Sequence, residues 1–164
     1  MKLLILSCIV FVVVTDRFVM GDPKAATCSF GENRGKIHFM EKDNKIRVHV
    51  SIHNVPGHTY GMHVHQNKIS PGATTCDGLG THFNPTGDPN NDKGDLNPNG
   101  DKPLAASKSG HLHLNSYYID TLTLDDAPVG NGIVGRSVVL HVDGKKFCCN
   151  IVRDTYVEAN FLQH

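Results

Sequence analysis

The chain lacks sustained helical periodicity, any cluster of basic residues and any apolar run of bilayer-spanning length. Each absence excludes a class. Its one long apolar stretch, the twelve residues Leu3 to Val14, falls short of the roughly 20 that a membrane helix needs. Preceded by Lys2 and followed by the polar break Asp16-Arg17, with small residues at Val19 and Gly21, it reads as a secretory signal peptide over residues 1–21. The expectation is an exported, secreted protein with no membrane partner, a domain over 22–152 and a C-terminal tail over 153–164. Formal charge is +0, and removing Lys2, Asp16 and Arg17 with the signal leaves about −1. Nothing in that charge fits a nucleic-acid partner. No N-glycosylation sequon occurs, because Asn84-Pro85-Thr86 carries the forbidden proline.

What is present is the two-residue alternation of half-buried strands. It runs through Ile37 and Phe39, then Ile46, Val48, Val50 and Ile52, with Asp43-Asn44 as the hairpin turn between them. Met62 and Val64, Leu112 and Leu114, and Leu122 and Leu124 repeat it. Val138 to Val142 and Phe147 to Val152 close the series across Asp143-Gly144, a favoured two-residue turn. Short strands with frequent turn residues predict an all-β Greek-key β-sandwich or barrel of about eight antiparallel strands. One connection, Gln66 to Gly110, is rich in Gly, Pro, Asn and Asp and too long to be an idle loop.

Histidine carries the chemistry. His63 and His65 stand at i and i+2, so on a strand both project from one face about 7 Å apart. His82 lies in the long loop and His141 on a later strand, so the fold must bring them in. Four neutral imidazoles suit copper or zinc better than calcium or magnesium. His111 and His113 also form an H-x-H, but alternate with Leu112 and Leu114 as a solvated strand face does; His49 and His53 read the same way. Asp88-x-Asn90-x-Asp92 is excluded as a calcium loop, since Lys93 stands at its glycine and Asn99 at its glutamate. Cys8 leaves with the signal, and the even remainder, Cys28, Cys76, Cys148 and Cys149, indicates two disulfides. Adjacent Cys148 and Cys149 face opposite sides of a strand, which gives them separate partners.

Gly61-Met-His63-Val-His65, Gly80-Thr-His82-Phe-Asn-Pro85, Gly94-Asp95-Leu96 and Gly135-Arg-Ser-Val-Val-Leu-His141 occur in the order found in the Cu/Zn superoxide dismutase family, which the chain resembles from about Cys28 to Val152. The resemblance implies copper held by His63, His65, His82 and His141, superoxide as substrate, and conversion to dioxygen and hydrogen peroxide. His82 would be both ligand and catalytic proton carrier. It also implies a Cys76–Cys149 disulfide tethering the long loop, which leaves Cys28 for Cys148.

The chain departs from the family twice. No histidine lies between Thr86 and Asp95, where zinc-containing members have two, so zinc is not expected. Asp92 and Asp95 keep the spacing of the copper-only branch, in which a carboxylate stands in for zinc by accepting from Nδ1 of His82. The long charged loop after the last copper histidine is reduced to the turn before Lys145. Aligning on Cys149 puts Lys146 at the position of the family's substrate-guiding arginine, and the hairpin register puts Lys146 opposite His141. A lysine there is a point charge without the planar fork. That change and the missing loop motivate an alternative: a catalytically inactive copper-binding or decoy homologue.

Overall fold

Alternating burial along the chain builds strands throughout. The computed structural model describes residues 24–55, 59–85, 87, 94, 96–98, 104–107, 109–142 and 144–154, and no helix occurs among them. The signal over 1–21 and most of the tail therefore lie outside the described residues. The strands are β1 (Ala25–Ser29), β2 (Gly35–Lys42), β3 (Lys45–Ile52), β4 (Thr59–His65), β5 (Leu104–Ala105), β6 (Leu112–Ile119), β7 (Thr123–Asp126), β8 (Gly132–Val134), β9 (Ser137–Val142) and β10 (Lys145–Arg153). Eight of them form one curled antiparallel sheet in the order β5-β4-β9-β10-β1-β2-β3-β6, with the Greek-key barrel architecture expected. The count of ten exceeds the expected eight because β5 is a two-residue edge inside the long connection and β7 pairs β8 in parallel as a separate ribbon.

The β2–β3 hairpin turns at Asp43 and Asn44, both at positive φ (52° and 59°), the conformation a two-residue hairpin requires. β10 runs one residue beyond Val152: Arg153 pairs with Ala26, and Asp154 N donates to Ala25 O.

The inner face carries Ile37, Phe39, Val48, Val50, Met62, Val64, Leu112, Leu140 and Ile151, all at or near zero exposure. Burying each such side chain stabilises the fold by about 1.5–3 kcal/mol before entropy is counted. The central strand β9 is buried on both faces. Val138, Leu140 and Val142 point into the core, while Ser137 and Val139 are covered from outside by the loop that follows β4. That outer face of β4, β9 and β10 carries His63, His65 and His141.

Candidate metal centre

Cross-strand pairing fixes three of the four imidazoles. On β4 and β9, Met62 faces Leu140 and Val64 faces Val138 on the core side, so His63, His65 and His141 project outward together. Gly61 is the cross-strand partner of His141, and a Cβ there would lie 3.1 Å from Cε1 of His63. Glycine leaves the room that the His63 ring occupies.

His82 arrives on the loop after β4, which curls back so that His82 bridges to His65. Several bonds hold that loop down. Ser137 Oγ donates to Asn67 O (2.6 Å), Ile69 N donates to Asn150 Oδ1 (2.7 Å), and Asn67 N donates to Leu79 O (2.9 Å). Arg136, buried, donates from Nε to Gly132 O and from Nη1 to Gln66 O, both at 2.8 Å, and its guanidinium lies 3.6 Å over the Phe83 ring. Burial lowers its pKa below the usual arginine value.

Gly94 closes the far side: a Cβ would meet Phe83 O at 2.6 Å and Val64 O at 2.8 Å, so only glycine lets this segment lie on both backbones. Gly94 O accepts from Val64 N, Leu96 N donates to Met62 O, and Asn97 Oδ1 accepts from Met62 N. The roles of Arg136, Ser137, Asn150 and Gly61 are not apparent from the sequence. An arginine directly before the apolar run Val138 to Val142 is the one signal that could point to any of them.

The rings converge. His63 stacks on His82 with centroids 3.9 Å apart, and His141 stands 5.7 Å from His63, 5.8 Å from His65 and 5.9 Å from His82. His65 and His82 are 5.1 Å apart. One nitrogen from each of His63, His82 and His141 lies within 4.8 Å of the others. His65 stands beside that group but outside it. Its Nδ1 is 3.0 Å from Gly80 O, a carbonyl that can only accept, so Nδ1 bears the proton and Nε2 keeps the lone pair.

The buried Nε2 of His141 has no hydrogen-bond partner among the described residues, and the same holds for the atoms His63 Nδ1 and His65 Nε2. His141 is held below its ordinary pKa of 6.5 by burial first, then by His65, His82 and Lys146. A half-buried imidazole kept neutral, with its nitrogen turned toward two others, suits a transition-metal ion such as copper or zinc.

Lys146 pairs with His141 across β9 and β10, as the hairpin register predicts, and is exposed. The other argument for it does not stand. The disulfides are Cys28–Cys149 and Cys76–Cys148, the reverse of the expected pairing. Cys149 pairs with Val138 on the core face, where Cys28 is also buried, whereas Cys148 faces outward with Val139, under the loop that carries Cys76. Counting back three residues from the loop-tethered cysteine therefore reaches Lys145, not Lys146. Asp92, Asp95 and Asp143 lie outside the described residues.

A family model described as copper/zinc superoxide dismutase matches residues 33–153. A search of curated proteins found no match. Among solved structures the chain is similar to superoxide dismutase 5 of Candida albicans, in a single-substitution mutant form. The TM-score is 0.64 at 20% identity, covering 85% of this chain and 97% of that one. At that identity the likeness is one of fold.

Proposed function

Because the chain belongs to the copper/zinc superoxide dismutase family, we propose that it is an exported, copper-dependent enzyme that disproportionates superoxide without zinc. The observation that carries this reading is the convergence of nitrogens from His63, His82 and His141 within 4.8 Å, with His65 beside them. Copper held by these four residues would supply a one-electron couple for the disproportionation of two superoxides, with uptake of two protons, to dioxygen and hydrogen peroxide.

The chain's own residues do the rest. His63, His65 and His141 sit on paired strands and keep their places. His82, the one of the four carried by a loop rather than a strand, would take a proton at Nε2 and give it to the departing peroxide. Asp92 would accept from Nδ1 of His82 in place of zinc, with Asp95 three residues on; the spacing of these carboxylates and the histidine-free interval 86–95 support this. Lys146, opposite His141, draws the anion toward the site.

The deciding experiment measures metal content of the purified secreted protein, with superoxide consumption before and after copper loading. One copper, no zinc and activity support the proposal. Full copper occupancy without superoxide consumption assigns the chain to the inactive copper-binding or decoy class, for which the exposed lysine is the favouring observation. Stoichiometric zinc overturns the zinc-free assignment.

A further inference from the structure

The side of β4 that faces away from β9 is filled by three segments in turn. β5 pairs with Thr59 and Tyr60. Next come Gly94, Leu96 and Asn97. Asn97 Oδ1 accepts from Met62 N (3.1 Å), Leu96 N donates to Met62 O (2.9 Å) and Gly94 O accepts from Val64 N (2.7 Å). Phe83 N then donates to Val64 O at 2.8 Å. Val64 stands between His63 and His65, and Phe83 directly follows His82. One residue of β4 is thus bonded through its N–H to Gly94 and through its carbonyl to the residue after His82. A shift of Gly94 moves the backbone that carries His63, His65 and His82.

A side chain holds this segment from the opposite direction. Tyr117 lies on β6, the far edge strand of the sheet, where it pairs with Val48 and packs against the core. Its hydroxyl donates to the carbonyl of Leu96, whose own side chain is fully buried. A carbonyl only accepts, so the direction of that proton is fixed. A tyrosine that enters a core brings a hydroxyl needing a partner. Here the partner is a segment bonded to β4, so one ring joins strands that stand at opposite ends of the order β5-β4-β9-β10-β1-β2-β3-β6.

We propose that Tyr117 is a positioning residue of the metal centre, an inference that rests on the copper assignment above. Its hydroxyl pins Leu96; Leu96 and Gly94 hold β4 at Met62 and Val64; and Val64 registers His63 and His65 against His82. Without the hydroxyl the segment loosens, and the imidazoles must be ordered again when the ion binds. One hydrogen bond corresponds to a loss of about two- to tenfold in affinity.

The test compares Tyr117→Phe, which keeps the ring and removes the bond, with Thr27→Val as a matched control. Thr27 Oγ1 donates to Asp154 Oδ2 at 2.9 Å, and Thr27 pairs with Val152 at the other end of β10 from Lys146. In copper(II) competition titrations of the mature protein, Tyr117→Phe should bind about two- to tenfold more weakly and Thr27→Val as tightly as the wild type. In metal-free protein, amide hydrogen exchange followed by NMR should be faster at Val64, Phe83 and Leu96 by the same factor in Tyr117→Phe, measured against Ile37 on β2, and unchanged there in Thr27→Val. A wild type that takes up no copper defeats the copper assignment, and exchange then decides the role of Tyr117 by itself. Exchange at Val64 and Phe83 unaltered by Tyr117→Phe, or undiminished affinity in a protein that binds copper, overturns the proposal.

Discussion

His141 shows how one residue links burial to chemistry. Its neighbours and its burial favour the neutral ring, which is the form that binds a metal. The same preference has a cost in acid. With the folded pKa below the unfolded one, the unfolded chain binds more protons between the two values, so stability falls as pH drops through 6.5 toward the folded pKa and is unaffected above it. His49 behaves alike, lowered by burial, then by His113 and Arg47. Thermal melts of metal-free protein should therefore be level above about pH 7 and decline below it, with a shallower decline in His49→Gln.

At Lys146 the charge matters more than the shape. Lys146→Glu should reduce kcat/KM for superoxide by at least about tenfold while copper content holds, and Lys146→Arg should equal or exceed the wild type. Pulse radiolysis on copper-loaded variants would decide this, and equal rates for Lys146→Glu and wild type would remove the residue from the mechanism.

The element that decides the site is the loop after β4. In a chain-entropy account both disulfides are worth about 4–5 kcal/mol, because the loops they close span 121 and 72 residues and the dependence on length is only logarithmic. Position separates them. Cys28–Cys149 lies in the core, so a Cys28→Ala/Cys149→Ala variant should lower the denaturation midpoint and leave copper affinity nearly unchanged in the folded fraction. Cys76–Cys148 ties the loop bearing His82 to the outer face, so Cys76→Ser/Cys148→Ser should weaken copper binding as well. Paired denaturant titrations and copper competition assays separate the two effects.

Arg136, in the turn between β8 and β9, holds that loop from the neighbouring strand. Its two carbonyl bonds and its stacking on Phe83 position the residue next to His82. Arg136→Leu should cost about 2–4 kcal/mol in stability and loosen copper binding, as denaturation and copper competition would show.

For the whole molecule, charge near neutrality and the shortened β9–β10 turn argue against long-range steering of the anion. Superoxide consumption should change little between low and moderate ionic strength, apart from the local contribution of Lys146. A steep salt dependence would point to a field that the sequence does not suggest.

Much of this architecture is legible in the chain itself. Alternation at Ile46, Val48, Val50 and Ile52 specifies a strand and its inner face, because a period of two has only one solution once the apolar side must be buried. The H-x-H spacing of His63 and His65 specifies a shared face for the same reason, and Asp143-Gly144 specifies the register that sets Lys146 against His141. These are local rules acting over a few residues.

Disulfide partners and loop anchors are not local. Which cysteine of the 148–149 pair meets Cys76 depends on which face of β10 the loop crosses, and alternation alone leaves both faces open. The side-chain contacts that run from Asp154 through Thr27, His38 and His49 to His113 cross five segments, which touch only when the sheet has formed. Sequence determined the strands, their faces and which histidines are candidate ligands; tertiary structure decided their partners, because pairing across a sheet is settled by where distant backbone segments dock.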